Sequence, residues 1–249
     1  MHSVFKQAII QNVQEQGLSI TEDDCKSFVF NRMREAILES KRNLNTDNFE
    51  KSPSKNIMLQ EYYFNNPIEK EPLEFIKEKI ITCIDNFFCC QTYEELLNNR
   101  NIEIIEVDEN DFSNPMKLDC TTLFFKVDLL YKKNDMYYVV DWKTGRSANT
   151  DKEQLMVYVY YIVQKYNVPL NKIIARVEYL ATGERYEVTP LNTDLEYINN
   201  KVTDGIQIMN NYLVDKELNI PKPKEEFSQT EECGLCHWCN YRLACGYAK

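Results

Sequence analysis

The spacing of apolar residues changes along the chain, from helical repeats in the first hundred residues to short strand-like runs after them. Apolar positions three or four residues apart indicate amphipathic helices, whereas short apolar runs bounded by turn residues indicate buried strands. On this basis we predict helices over residues 4–16, 22–39, 72–90, 93–99, 151–166 and 195–213. We predict strands over residues 102–107, 123–131, 136–140, 172–180 and 185–189. The order strand, strand, strand, helix, strand predicts an α/β sandwich with helices packed outside a sheet.

The central feature is a predicted hairpin whose two strands carry acidic residues. The first strand, residues 123–131, and the second, residues 136–140, are separated by a short polar segment. Asp128 lies inside the first strand and Asp141 at the end of the second, so the pleat can bring both carboxylates to one edge of the sheet. Lys143, two residues beyond Asp141, is expected to project to the same side.

Two carboxylates in this arrangement suit a hard divalent cation. Mg²⁺ and Mn²⁺ bind through one or two protein carboxylates and keep water and phosphate oxygens in their other positions. The triplet 141–143 is weak evidence by itself, because an Asp-x-Lys triplet arises by chance about once in a chain of this length. Its context is more specific, since a Thr144-Gly145 turn follows and the next helix carries Gln154 and Tyr158 on one face. The pattern indicates a divalent-metal site that cleaves phosphodiesters.

The distribution of charge limits where nucleic acid can bind. The formal net charge of −10 argues against contact over the whole surface. Between Lys126 and Lys152, however, six Lys or Arg face four Asp, a local sum of +2. DNA contact is therefore expected on this stretch, with Lys132, Lys133 and Arg146 as candidate DNA-binding residues. The acidic remainder suits docking onto a basic partner.

The cysteines at the end of the chain have the density of a metal site. They follow the pattern C-x2-C-x2-C-x5-C through Cys233, Cys236, Cys239 and Cys245. Thiolates at such spacing close a loop around a structural zinc or an iron–sulfur cluster, and the spacing fits both. We see no run of eighteen apolar residues and no targeting segment, so we expect a cytoplasmic protein without membrane contact and with reduced cysteines.

Residues 121–160 resemble the RecB-type branch of the PD-(D/E)XK nuclease superfamily. In that branch a strand Asp, an Asp-x-Lys-Thr-Gly segment and a Gln-x-x-x-Tyr helix occur in this order, as Asp128, residues 141–145 and the pair Gln154 and Tyr158 do here. The resemblance implies a restriction-endonuclease-like α/β fold, with a central mixed sheet flanked by helices. It would have a helical N-terminal region (1–100), a nuclease core (101–215) and a Cys-rich cluster-binding segment (216–249).

The implied activity is Mg²⁺- or Mn²⁺-dependent cleavage of DNA, and the family suggests an exonuclease that acts on single-stranded DNA or DNA ends. The implied catalytic residues are Asp128, Asp141, Lys143, Gln154 and Tyr158. The implied Mg²⁺ or Mn²⁺ ligands are Asp128, Asp141, the Trp142 carbonyl and Glu106. Glu106 is included because an acid on the first core strand often completes the metal site in this superfamily.

The C-terminal cysteines are similar to those of the CRISPR-adaptation RecB-like nucleases and of the AddB nuclease subunit. These relatives hold a [4Fe–4S] cluster with a C-terminal C-x2-C-x5-C triple and one cysteine far upstream. Cys236, Cys239 and Cys245 match the triple, and Cys25 would be the fourth ligand. Cys233 departs from the pattern and is an alternative ligand, or a sign that the site holds zinc. A helicase or a CRISPR integrase-type complex is the implied protein partner.

A second departure concerns histidine. Many relatives carry a metal-binding His on a helix ahead of the sheet, whereas this chain has only His2 and His237, and neither is expected in that place. Gln60 or Glu61 could stand in for it. The alternative function is therefore a catalytically weak or inactive subunit that binds DNA ends in a repair, CRISPR or phage-defence complex, with zinc in place of iron–sulfur.

Overall fold

The computed structural model describes residues 1–14, 19–64, 68–99, 101–108, 115–118, 121–228, 234, 236 and 239–245. The chain divides into two compact units. The first unit comprises Met1–Ile37 and Ile68–Thr203, and the second comprises Leu38–Pro67 and Asp204–Lys249. The division into regions 1–100, 101–215 and 216–249 stays a prediction.

The predicted helices and strands occur in the predicted order with differences at their ends, and several short helices and strands that were not predicted lie between and after them. The helices are α1 (His2–Ile9), α2 (Glu22–Asn43), α3 (Asn48–Lys51), α4 (Gln60–Tyr63), α5 (Lys70–Cys89), α6 (Gln91–Asn98), α7 (Asp151–Tyr166), α8 (Asn192–Asn210) and α9 (Arg242–Cys245). The strands are β1 (Ile102–Val107), β2 (Met116–Leu118), β3 (Thr121–Leu123), β4 (Leu129–Lys133), β5 (Met136–Lys143), β6 (Ile173–Tyr179), β7 (Glu184–Val188), β8 (Leu213–Asp215) and β9 (Ile220–Pro221). None of the described helices combines the length and the apolar character needed to cross a bilayer.

The first unit is built on a mixed sheet, which among the described residues has five strands in the order β1-β4-β5-β6-β7. β5 and β6 are parallel and are connected through α7, whereas the other neighbouring pairs are antiparallel. The prediction of an α/β fold with a central mixed sheet and flanking helices is therefore confirmed.

Both faces of the sheet are covered by apolar side chains. On β4, Leu129 and Tyr131 belong to one buried cluster and Leu130 to another, as the twofold alternation of a strand requires. The second cluster contains most of α7, whose Leu155 and Val159 are fully buried. Burial of these side chains packs α7 against β5 and β6. α7 carries two of the predicted site residues, Gln154 and Tyr158.

The first strand of the predicted hairpin begins later than expected. The apolar residues 123–131 predict one strand with Asp128 inside it, but β4 begins at Leu129 and Asp128 directly precedes it. The physical reason is a hydrogen bond in which the backbone N–H of Trp142 donates to Asp128 Oδ2 at 2.9 Å. The Asp128 side chain thus accepts the hydrogen bond of a β5 N–H group. If β4 continued, a backbone carbonyl of β4 would accept that bond instead.

Candidate active site

Asp141 and Lys143 lie at the end of β5 and face α7. Two residues apart on a strand, they project to the same side. Asp141 is buried, and its Oδ2 lies 2.9 Å from Lys143 Nζ. Asp141 Oδ2 has no hydrogen-bond partner of good geometry among the described residues, so the ion pair leaves this oxygen available to a further ligand.

α7 closes a chain of hydrogen bonds over these two groups. Lys143 Nζ donates to Gln154 Oε1, and Gln154 Nε2 donates to the Tyr158 hydroxyl at 2.8 Å. The Tyr158 hydroxyl in turn donates to Asp141 Oδ1 at 3.4 Å. Burial and the charge of Asp141 raise the pKa of Tyr158, so the phenol stays protonated as a donor. The structure therefore brings together these four of the predicted catalytic residues.

Asp128 joins the same end of the sheet from the neighbouring strand. Its Oδ2 accepts the Trp142 N–H, and its Oδ1 accepts a hydrogen bond from His2 Nδ1 at 2.8 Å. The Trp142 indole packs against the rings of Phe5 and Phe87, with centroids 6.1 and 5.5 Å apart, which fixes the backbone between Asp141 and Lys143. A role for the Trp142 carbonyl as a ligand stays a prediction.

His2 and Asp108 are the residues that the sequence interpretation missed. The expectation that His2 lies away from the metal site is wrong, because α1 places it against Asp128. A nitrogen of His2 and carboxylate oxygens of Asp108 and Asp128 lie within 4.8 Å of one another, and this is the group of potential metal ligands found among the described residues. We call it the His2–Asp108–Asp128 group.

Asp108 follows β1 directly and has a positive φ of 43°. Asp tolerates this left-handed conformation better than most residues, and such backbone often occurs at functional sites. The Asp108 N–H donates to the Asp128 carbonyl oxygen at 2.9 Å, and Asp108 Oδ1 lies 2.7 Å from Lys126 Nζ. Asp108 comes beside Asp128 through the register of β1 against β4, with Val107 opposite Leu129, so no local pattern in the sequence favours it over Glu106.

The electrostatics of the site favour a bound cation. The pKa of Asp141 is raised, first by burial and then by the charge of Asp128, although Lys143 partly offsets both effects. The hydrogen bond to Asp128 raises the pKa of His2. Buried carboxylates that repel each other are costly unless positive charge neutralises them. The His2–Asp108–Asp128 group, with the buried Asp141 carboxylate acting electrostatically on Asp128, therefore offers donors that fit Mg²⁺ or Mn²⁺.

Glu106 has a different environment. Its Oε1 accepts hydrogen bonds from Tyr161 at 2.8 Å, from Lys165 at 3.2 Å and from the Tyr166 hydroxyl. Glu106 is not a member of the His2–Asp108–Asp128 group. The structure thus places it in a buried network with α7, and its role as a metal ligand stays a prediction.

The candidate DNA-binding residues occupy two places. Lys132 and Lys133 are the last two residues of β4, next to the turn that leads to β5, and lie roughly 13–17 Å along the strand from Asp128 at about 3.3 Å per residue. Lys132 lies over the Tyr137 ring. Arg146 is exposed, three residues beyond Lys143, and is therefore nearer to the site.

Cys25 lies in α2 and is only 1% exposed, within an apolar cluster of the first unit. Burial raises the pKa of its thiol to about 11, so it is a neutral thiol in the absence of a metal. Coordination would have to deprotonate it, as metals do with cysteine ligands. Its role as a cluster ligand stays a prediction.

The cysteine triple belongs to the second unit. Cys236 and Cys239 are half-buried and Cys245 is exposed. The Cys239 N–H donates to the Cys236 carbonyl at 3.2 Å, and α9 ends at Cys245. In the described part of the chain these cysteines do not form a group as close as that of His2, Asp108 and Asp128. Cys233 and His237 lie outside the described residues.

A family model of the PD-(D/E)XK nuclease superfamily matches residues 74–246, which is more than half of the 249 residues. The matched range contains the whole central sheet and α7, whereas α1 with His2 precedes it. A search of curated proteins finds no match.

Proposed function

The chain belongs to the PD-(D/E)XK nuclease superfamily, and from this premise we propose that it is a divalent-metal-dependent deoxyribonuclease that acts on single-stranded DNA or DNA ends. The observation that carries the proposal is the convergence of three carboxylates, one imidazole and one lysine at one end of the sheet. Members of this superfamily are usually metal-dependent nucleases, and these side chains provide the corresponding donors.

The proposed roles follow from the contacts. His2, Asp108, Asp128 and Asp141 would hold Mg²⁺ or Mn²⁺, which when bound lowers the pKa of water and neutralises the scissile phosphate. Lys143 Nζ, positioned by Asp141 and Gln154, would orient the attacking water or stabilise the charge that develops on the phosphate. Gln154 and Tyr158 would position the DNA strand beside it.

The same contacts weaken the case for a non-cutting subunit. That alternative was motivated by the absence of a histidine at the metal site, and His2 supplies an imidazole 2.8 Å from Asp128. A purely DNA-end-binding protein would also have no need for carboxylates buried at its contact surface, where they repel phosphate.

The direct test is cleavage of labelled single- and double-stranded DNA with Mn²⁺ or Mg²⁺, and again with EDTA. We expect cutting that EDTA abolishes and that Asp128→Asn and Lys143→Ala reduce by roughly 100-fold or more, since even the outer partners of metal ligands contribute 10–100-fold. Asp135→Asn, an exposed acid at the hairpin turn, is the matched control and should cut normally. Undiminished cutting by Lys143→Ala would contradict the assignment.

We also propose that Cys236, Cys239 and Cys245 hold a structural [4Fe–4S] cluster with Cys25, with zinc and Cys233 as the alternatives. Soft thiolates at this close spacing in the sequence support either metal. Protein purified without oxygen should be brown and absorb near 400 nm, and Cys25→Ser should lose iron. Cys83→Ser, another thiol that is 1% exposed, is the matched control. A colourless protein with stoichiometric zinc would exclude the cluster.

A further inference from the structure

A groove in the first unit opens beside the candidate active site and shares two of its residues. The groove has a volume of about 580 Å³, and its lining includes Gln154 and Tyr158. This volume lies within the range of about 300–1,000 Å³ that is typical of ligand sites. On its other side the groove is lined by Phe124, Phe125 and Lys126, the segment that leads from β3 to Asp128.

Phe124 brings a largely exposed aromatic side chain to the lining of the groove. The residue is 56% exposed, although the groove around it continues into a polar site. Neighbouring Phe125 stacks on Tyr161 of α7, with centroids 4.8 Å apart and an interplanar angle of 21°. This stack anchors the segment, so the exposed Phe124 stands on a fixed backbone four residues before Asp128.

A lysine accompanies the aromatic ring. Lys126 lines the same groove, and its side chain is 49% exposed while its Nζ pairs with Asp108. The acidic residue of the groove, Glu153, is ion-paired with Lys201 of α8. An aromatic face beside a lysine is the combination with which proteins hold a single strand, since the ring stacks on a base and the cation contacts the backbone.

We propose that Phe124 is a stacking platform for a base of a single-stranded DNA substrate, with Lys126 beside the adjacent phosphate. The inference rests on the proposed nuclease function and narrows its substrate. Bases inside a duplex are already stacked on both faces, so a side-chain ring can take a base only from an unpaired strand. The groove would thus select the single strand and lead it to Lys143.

The test is fluorescence anisotropy of the full chain, with Ca²⁺ in place of Mn²⁺, on a 12-nucleotide single strand, its duplex and an abasic version of the strand. Wild type should bind the single strand more tightly than the duplex. Phe124→Ala should weaken single-strand binding by about fivefold or more, as expected for the loss of one base stack. The variant should leave binding of the duplex and of the abasic strand unchanged, and Phe124→Trp should retain wild-type affinity.

Phe75→Ala is the control, because Phe75 is 68% exposed and lines a different groove beside Lys79 and Arg146. If Phe75→Ala weakens binding and Phe124→Ala does not, the strand lies in that other groove and the inference is overturned. Equal affinity of wild type for single strand and duplex also overturns it. Cutting is assayed separately, so a wild type that cuts DNA without these preferences leaves the nuclease proposal intact. Unchanged melting temperatures confirm that the variants fold.

Discussion

The two ends of the β4–β5 hairpin both carry charged residues, but their environments are opposite. At the turn, Asp135 is exposed and Lys132 is partly exposed beside the ring of Tyr137. At the other end, Asp128 and Asp141 are only 6% and 3% exposed and stand on neighbouring parts of the sheet. Water can solvate the charges at the turn, whereas the protein itself must stabilise those at the buried end.

The difference separates ordinary surface charge from a functional site. Exposed charges and ion pairs change the free energy of unfolding very little. Two buried carboxylates cost free energy, as the raised pKa of Asp141 indicates. A chain that keeps such a pair beside His2 and Lys143 retains a destabilising arrangement, which is typical of sites that bind a cation or perform catalysis.

The largest effect is expected at Asp141, where activity and stability should change in opposite directions. Asp141→Asn should reduce cutting by roughly 100-fold or more. It should also raise the melting temperature measured in EDTA, because it removes a buried charge beside Asp128. A gain of about 1 kcal/mol would correspond to roughly 2–4 °C for a chain of this size.

Differential scanning fluorimetry in EDTA, together with the cutting assay, measures both quantities. Asp135→Asn at the exposed end should change neither of them. A lower melting temperature for Asp141→Asn would mean that Lys143 more than compensates the buried charge, and it would remove the distinction between the two ends.

A smaller effect is expected at His2. Imidazole is a better ligand for Mn²⁺ than for Mg²⁺, which prefers oxygen donors. His2→Ala should therefore weaken Mn²⁺ binding by about 10–100-fold and Mg²⁺ binding much less. Isothermal titration calorimetry with each ion measures the difference. An equal loss for the two ions would indicate that His2 only positions Asp128 through their hydrogen bond.

The parts of the site that the sequence predicted are those set by local geometry. Asp141 and Lys143 share a face because strand side chains alternate, and Gln154 and Tyr158 share one because they lie one helical turn apart. Helix α7 was predicted with its observed bounds, Asp151–Tyr166, because an apolar stretch of this length fits a buried helix and is too long for a typical strand. Short-range periodicity therefore accounts for the contacts among these residues.

The parts that the sequence did not predict depend on contacts between distant segments. His2 lies 126 positions before its partner Asp128, and no local pattern connects them. Asp108 lies just past the end of β1, where the choice between it and Glu106 depends on the register with β4. The late start of β4 depends on a side chain that replaces a backbone partner, which apolar periodicity cannot reveal.

The smallest predicted effect is a pH dependence confined to the buried end. The pKa of His2 is raised by Asp128, so the pair stabilises the metal-free fold fully below the unfolded pKa of about 6.5. This stabilisation is lost as the pH rises through the higher folded pKa. The melting temperature of His2→Gln in EDTA should therefore lie further below that of wild type at pH 6 than at pH 9. Asp135→Asn should show no such difference, and an equal gap for His2→Gln at both pH values would mean that His2 is neutral throughout.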